Sequence, residues 1–357
     1  MTLSALRVRS WFWFLTVQNI QDQIGNPAPI EPQNNVPNWA IAAFLLAIAA
    51  IAAVPVYRIV QHARQGTSSI SSIPKTVTPA APLPAVVRRP QQPPPQLSDE
   101  DESRILALPL QQQAEELLQR SLAHDVRARE VLEQQLPKFK GVVRDSPNMK
   151  QLMDRAQYSG DLRVRNVYCG LMLAMDGWNE DAQAVTMLVD RAKNESDSQQ
   201  RAYDVWFIGL LGGRGVEPQQ VHDVLLGYTQ KDPDAYVRQW ATEGLRFLGT
   251  DQALDDEFNI FVSDPSFTVR DRAGCNVSDC GNFTRKQRMR MLPKLLEIAE
   301  DPTANAQMRS WSFLAMQEIT DVSLTPDAKA WRQWYTEHGA EKMAQFEKLP
   351  EWQVRGE

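Results

Sequence analysis

Cysteine and histidine are scarce in this chain: three cysteines and four histidines in 357 residues. Three cysteines cannot build a disulfide framework, and the odd number leaves one thiol unpaired under any scheme. Four histidines are too few for a His-rich metal centre, and none stands with glutamate at metal-ligand spacing. No glycine-rich phosphate loop follows a strand pattern, and no nucleophile elbow occurs. The turn Gly212-Gly-Arg-Gly215 lacks the lysine and the flanking strand of a P-loop, so it reads as a turn between repeats. The sequence thus offers no catalytic residue and implies no cofactor and no metal. An excess of basic charge is also missing, with 38 Lys and Arg against 44 Asp and Glu, which speaks against nucleic acid as a partner.

Charge and proline divide the chain. Eight basic and six acidic residues lie up to Arg104, and 30 basic and 38 acidic residues follow it. Thirteen of the 23 prolines fall in that first part, most of them between Pro74 and Pro95. So proline-rich a segment buries too little apolar surface to offset its ordering entropy and favours extended polyproline II. Residues 61–104 are therefore expected to be a disordered linker that acts as a semi-stiff tether.

A hydrophobic run precedes the tether. From Trp39 to Tyr57 the chain is apolar, and no charge stands between Glu31 and Arg58. Nineteen helical residues span about 28 Å, close to the ~30 Å of a hydrocarbon core. Trp39 and Tyr57 occupy the ends, where amphipathic rings favour the interface. Residues 39–60 are expected to form a single transmembrane helix, and residues 1–38 an N-terminal tail whose Trp11-Phe-Trp-Phe14 run suits the membrane interface. The Ala-x-x-x-Ala spacings Ala43/Ala47 and Ala49/Ala53 allow weak homo-oligomerisation. Arg58 and Arg64 follow the segment while the preceding twenty residues hold no Lys or Arg, which puts the large domain in the cytoplasm. Arg7 and Arg9 and the long tether point the other way, towards a periplasm.

Beyond Arg104 the pattern is helical and repeats. Arg165, Arg201, Arg238, Arg270 and Arg309 align at spacings of 36, 37, 32 and 39 residues. Seven residues after each stand Met172, Ile208, Leu245, Val277 and Met316, and ten after each stand Met175, Leu211, Leu248, Cys280 and Ile319. Positions three apart share a helical face, so these form one buried stripe recurring in five helices. Gly177, Gly212, Gly249 and Gly281 are placed to end four of them. Aspartates 161, 197, 234, 264 and 301 stand in the turns between paired helices, where they can cap exposed amides. The fifth turn is longer, with Asp301 eight residues before Arg309.

Two strings carry a resemblance: Asp232-Pro-Asp-Ala-Tyr-Val-Arg-Gln-Trp-Ala and Asp264-Pro-Ser-Phe-Thr-Val-Arg-Asp-Arg-Ala. With an Asp-Pro turn followed by Val-Arg-x-x-Ala, they resemble HEAT repeats of the armadillo type. That resemblance implies an all-α fold, a right-handed α-solenoid of about five helix pairs over residues 146–323. Residues 105–145 are expected as N-terminal capping helices. Residues 324–357 are expected as a C-terminal capping helix and tail, with Thr325 as N-cap and Trp331 and Trp334 on one face.

Within this frame Cys275 and Cys280, five apart on a helix, lie about 140° apart around its axis. Cys280 falls on the core stripe, so both read as core cysteines, as does Cys169. The aligned arginines read as structural groups that pair with a neighbouring repeat's aspartate or carbonyls. The most site-like feature is a run free of acid from Cys280 to Leu296, in which Arg285, Lys286, Arg288, Arg290 and Lys294 are basic. Its alternatives are a solvated outer face or an anion site for a phosphate, lipid headgroup or acidic peptide. The expected function is a membrane-anchored scaffold that binds a protein partner. The alternatives are a HEAT-like enzyme of lyase or hydroxylase type, or a structural protein of the envelope.

Overall fold

The computed structural model describes residues 96–354. The expected interfacial tail, the expected transmembrane helix and most of the expected linker fall on residues outside those described. Among the described residues no helix is long and apolar enough to cross a membrane. The described part is all helical, and its only strand-type pairing is an isolated bridge between Asp161 and Gln353.

Helix α1 (Asp99–Leu106) begins inside the stretch read as linker. Its start is set locally: the Ser98 hydroxyl accepts from the Asp101 amide, and four acids occupy the first turn, where the helix dipole favours them. Helices α2 (Leu110–Leu122), α3 (Val126–Phe139) and α4 (Pro147–Ala156) follow. Then come α5 (Leu162–Asp176), α6 (Ala182–Asn194), α7 (Ser198–Gly213), α8 (Pro218–Lys231) and α9 (Ala235–Leu245). After α10 (Asp251–Ser263) and α11 (Phe267–Cys275) the chain enters a π-helical turn, Asn276–Cys280. Short α12 (Arg285–Met289), α13 (Leu292–Glu300), α14 (Ala306–Thr320) and α15 (Ala328–Glu347) complete it.

Asp161, Asp181, Asp197 and Asp234 each accept a backbone amide of the helix they precede, so aspartate sets these starts. Asp327, not Thr325, caps α15. Of the four glycines expected to stop helices, Gly177 and Gly249 adopt the left-handed conformation. Gly212 instead lies inside α7, where a side chain would meet Leu248 and Val221, and Gly281 is extended.

Helices α3, α5, α7, α9, α11 and α14 pack each against the next in one row, and α2, α6, α8, α10 and α13 pack against members of it. One continuous hydrophobic core runs through both layers from Leu97 to Phe346. Helices α7 and α9 approach most closely at Gly209 and Gly244, where a Cβ on Gly209 would sit 2.4 Å from the Gly244 Cα.

The end of the chain returns to the first part of this row. The Leu162 amide donates to the Trp352 carbonyl and the Val354 amide to the Gly160 carbonyl, both at 2.8 Å. The Arg163 guanidinium lies 4.1 Å from the Trp352 ring centre. Residues 350–354 thus form a strap across the start of α5.

Candidate functional site

The five aligned arginines share one local job. Each sends its guanidinium back to carbonyls of the turn before its helix: Arg165 to Ser159, Arg201 to Glu195, Arg238 to Asp232, Arg270 to Asp264 and Arg309 to Asp301, Pro302 and Ala304. Two of them also reach the next repeat. Arg201 pairs with Asp232 at 2.8 Å and Arg238 with Asp264 at 2.9 Å, both two-pronged. Arg165 differs. Its Nη1 donates to the carbonyls of Cys280 and Gly281, each at 2.9 Å, and its Nη2 to that of Asp279 at 3.1 Å, across more than a hundred residues of sequence.

The basic run does not form one exposed patch, because each side chain has a protein partner. Arg285 is buried, pairs with Asp321 and lies over the Phe346 ring. Arg288 is buried and donates to the carbonyls of Ser278 at 2.6 Å, Phe283 at 2.9 Å and Val354 at 3.1 Å. Arg290 pairs with Asp251 at 2.7 Å, Lys294 with Asp255 at 2.8 Å, and exposed Lys286 stands 3.5 Å from Glu347. The acids that the run itself lacks come from α10, from α15 and from Asp321 at the end of α14.

What the structure does assemble is a buried polar cluster around the π-turn. Cys275 and Cys280 are joined in a disulfide, which corrects their reading as separate core thiols. In an α-helix residues five apart are separated by about 8.7 Å between Cα atoms, beyond the ~7 Å a disulfide tolerates. Here the separation is 5.4 Å, because the turn is wound with bonds five residues apart: the Gly281 amide donates to the Asn276 carbonyl at 3.1 Å. Between the cysteines lie Asn, Val, Ser and Asp, all weak helix formers, and this was the available sequence signal.

The carbonyls at the end of this turn are taken by buried arginines. The Cys280 carbonyl accepts from both Arg165 and, at 2.7 Å, Arg246. Arg246 is fully buried; its Nε donates to Glu243 at 2.7 Å and its guanidinium lies 4.3 Å from the Phe247 ring centre. Arg272 reaches the other oxygen of Glu243 at 3.2 Å. Asn276 donates to Glu257 at 3.1 Å and to the Thr242 carbonyl at 3.3 Å. Burial pushes the Glu257 carboxyl well above the ordinary carboxylate range, which favours its neutral form.

Chemically this cluster is suited to holding, because its guanidiniums donate to main-chain carbonyls and to Glu243. The unpaired third thiol, Cys169, is buried and pushed up to about 12, so it is a poor nucleophile. Cys275, Asp279 and Cys280 bring possible metal-ligand atoms within 4.8 Å of one another, but the two sulfurs are bonded to each other.

Aromatic rings form a second feature that the repeat alignment passes over. Trp206 of α7 meets Trp240 of α9 edge to face at 5.5 Å, and Tyr236 meets Trp240 at 6.1 Å. Further along the row, Phe267 of α11 meets Trp311 of α14 at 5.0 Å with the rings tilted at 44°, and Phe267 is 55% exposed. The other rings are half-buried against the core. Trp206 and Trp240 stand five and two residues after their aligned arginines, so no common register marks them. No protein-family model matches the chain, and no curated protein matches it.

Proposed function

We propose that this chain is a membrane-anchored helical-repeat scaffold that binds a protein partner through the half-exposed aromatic residues of its helix row. The HEAT-type reading rests on the Asp-Pro turns and on Arg201 and Arg238, which join successive repeats through Asp232 and Asp264. The observation that carries partner binding is the aromatic set Trp206, Tyr236, Trp240, Phe267 and Trp311 on four neighbouring members of the row. Tryptophan and tyrosine dominate the energetic centres of protein interfaces, since they bury large areas at small entropic cost. Phe267 in particular leaves over half its surface in water.

The anchor at residues 39–60 and the tether set how far this surface reaches from the membrane. The Cys275–Cys280 disulfide favours an oxidising compartment, and so a periplasmic or extracellular placement over the cytoplasmic one that flanking charge suggests. In-membrane crosslinking of the full chain, read by mass spectrometry, tests the function. A specific partner should be recovered from wild type and lost from Trp240→Ala with Phe267→Ala, while the variant keeps its helical circular dichroism. Equal recovery from both would remove the aromatic surface from the explanation.

A further inference from the structure

The disulfide-closed turn is the point on which two distant parts of the helix row depend. The carbonyls of Ser278, Asp279, Cys280 and Gly281 face inward together and accept from Arg288, Arg165 and Arg246, which belong to α12, α5 and the end of α9. The Asn282 amide adds a bond to the Arg246 carbonyl at 2.8 Å. Arg288 also holds Val354 of the strap, whose amide holds Gly160 beside Arg165. The turn, the start of α5 and the strap are thus one hydrogen-bonded circuit.

The circuit uses the end of the π-turn: carbonyls of a last helical turn have no amide within the helix to accept from, and here arginines meet them. The disulfide fits the π-turn and cannot fit an α-turn, so the bond requires this conformation and, once formed, holds it. The two sulfurs differ in access: Cys275 is partly exposed, whereas Cys280 is buried. Arg165 and Arg246 donate to the Cys280 carbonyl and the Asp279 carboxylate lies 3.4 Å from its sulfur, so it is access that selects Cys275 as the sulfur attacked and Cys280 as the one that leaves.

We propose that Cys275–Cys280 is a redox latch: as a disulfide it holds the start of α5 and the C-terminal strap closed on the π-turn, and its reduction by a dithiol releases them. One thiolate of the dithiol attacks the Cys275 sulfur, a mixed disulfide forms, and Cys280 leaves as a thiolate and takes a proton. The second thiol of the reductant then closes on the mixed disulfide and expels Cys275, which is protonated in turn. Two electrons pass from the dithiol, which becomes a disulfide, to the cysteine pair. In an oxidising compartment the closed form is the resting one. The latch does not depend on the partner-binding reading, since its effect is read on the protein alone.

Hydrogen exchange on the purified full chain, before and after dithiothreitol, tests it. Under native conditions reduction should make two cysteines available to maleimide while Cys169 stays unlabelled until denaturant is added. Exchange should rise on the order of tenfold or more in residues 160–165, 278–283 and 350–354 and stay unchanged in α8 and α13, and re-oxidation should restore it. Cys275→Ser with Cys280→Ser should copy the reduced state, and Cys169→Ser should leave exchange unaltered. Should the double variant fail to fold, reduction of wild type carries the test by itself. The latch is overturned if the reduced protein keeps its protection in the three segments, if excess dithiothreitol frees no thiol, or if protection is lost evenly along the chain.

Discussion

Arg165→Met gives the sharpest test of how the row is closed. The wild-type side chain is 1% exposed and donates to four carbonyls: Ser159 at 2.7 Å, Cys280 and Gly281 at 2.9 Å, and Asp279 at 3.1 Å. Methionine keeps most of the apolar stem and removes all four bonds. The Cys280 carbonyl retains Arg246, so three carbonyls lose their guanidinium donor. Each buried acceptor left without a donor costs about 1–3 kcal/mol. Relief of the charge's own desolvation returns part of that, leaving a net loss of about 3–5 kcal/mol. Arg332→Met is the control: its two-pronged pair with Glu300 at 2.6 and 2.7 Å is well exposed, and such pairs contribute ~0–1 kcal/mol. Urea unfolding of the full chain, followed by tryptophan fluorescence, measures both. Because Cys280 has two donors, Arg165→Met with Arg246→Met should cost more than the two single changes together, by about 1–2 kcal/mol. If Arg165→Met falls within about 1 kcal/mol of Arg332→Met, the inward carbonyls are satisfied by water and the closed circuit is not a source of stability.

Four further outcomes follow from the same geometry. Gly209→Ala should destabilise by about 1–3 kcal/mol or more, since the new methyl meets the α9 backbone. Gly227→Ala in α8 meets nothing within 4 Å and should stabilise by about 0.5–1 kcal/mol in the same urea titration. Burial pushes the Asp271 carboxyl up to about 6, so the folded chain holds its proton after the unfolded chain has lost it. Stability should therefore fall as pH rises from about 4 to 6. Asp271→Asn should raise the melting temperature more at pH 7.5 than at pH 4, and an equal gain at both would refute the shift. Arg288→Met should cost several kcal/mol through its carbonyls of Ser278, Phe283 and Val354, whereas Lys294→Met, on an exposed pair, should cost about 1 kcal/mol or less.

The helical part was legible because its signals are local and periodic. Aspartate caps, apolar stripes and the arginine register all recur within a few turns, and a 3.6-residue period reads them directly. The cysteine pair was not legible by that rule. Placing Cys275 and Cys280 at 100° per residue assumes an α-helix, and the π-turn breaks the assumption where the chemistry lies. Arg165 and Arg201 look alike in the alignment, yet one ties repeat to repeat and the other ties α5 to the π-turn. Nothing within a window of forty residues separates them, because the partners of Arg165 lie more than a hundred residues away in sequence. The basic run failed as a patch for a related reason: Asp251 and Asp255, which pair with Arg290 and Lys294, precede them by 35 to 39 residues. Charge counted along one helix omits the acids on its neighbour.

The strap also bears on where a partner can bind. A row of paired helices leaves unpaired main-chain groups and apolar edges at its ends, and something must cover them. Here the Leu162 amide and the Gly160 carbonyl, at the start of α5, are taken by residues 352–354. The tail thus covers an early member of the row, although it follows the last helix in sequence. Fixed by two main-chain bonds, residues 352–354 cover the start of α5 within a few residues of the end of α15. The half-exposed rings of α7, α9, α11 and α14 are the surface that stays available. If the aromatic residues bind a partner and the latch opens as proposed, the Cys275–Cys280 turn is a place from which that binding is altered without touching a binding residue.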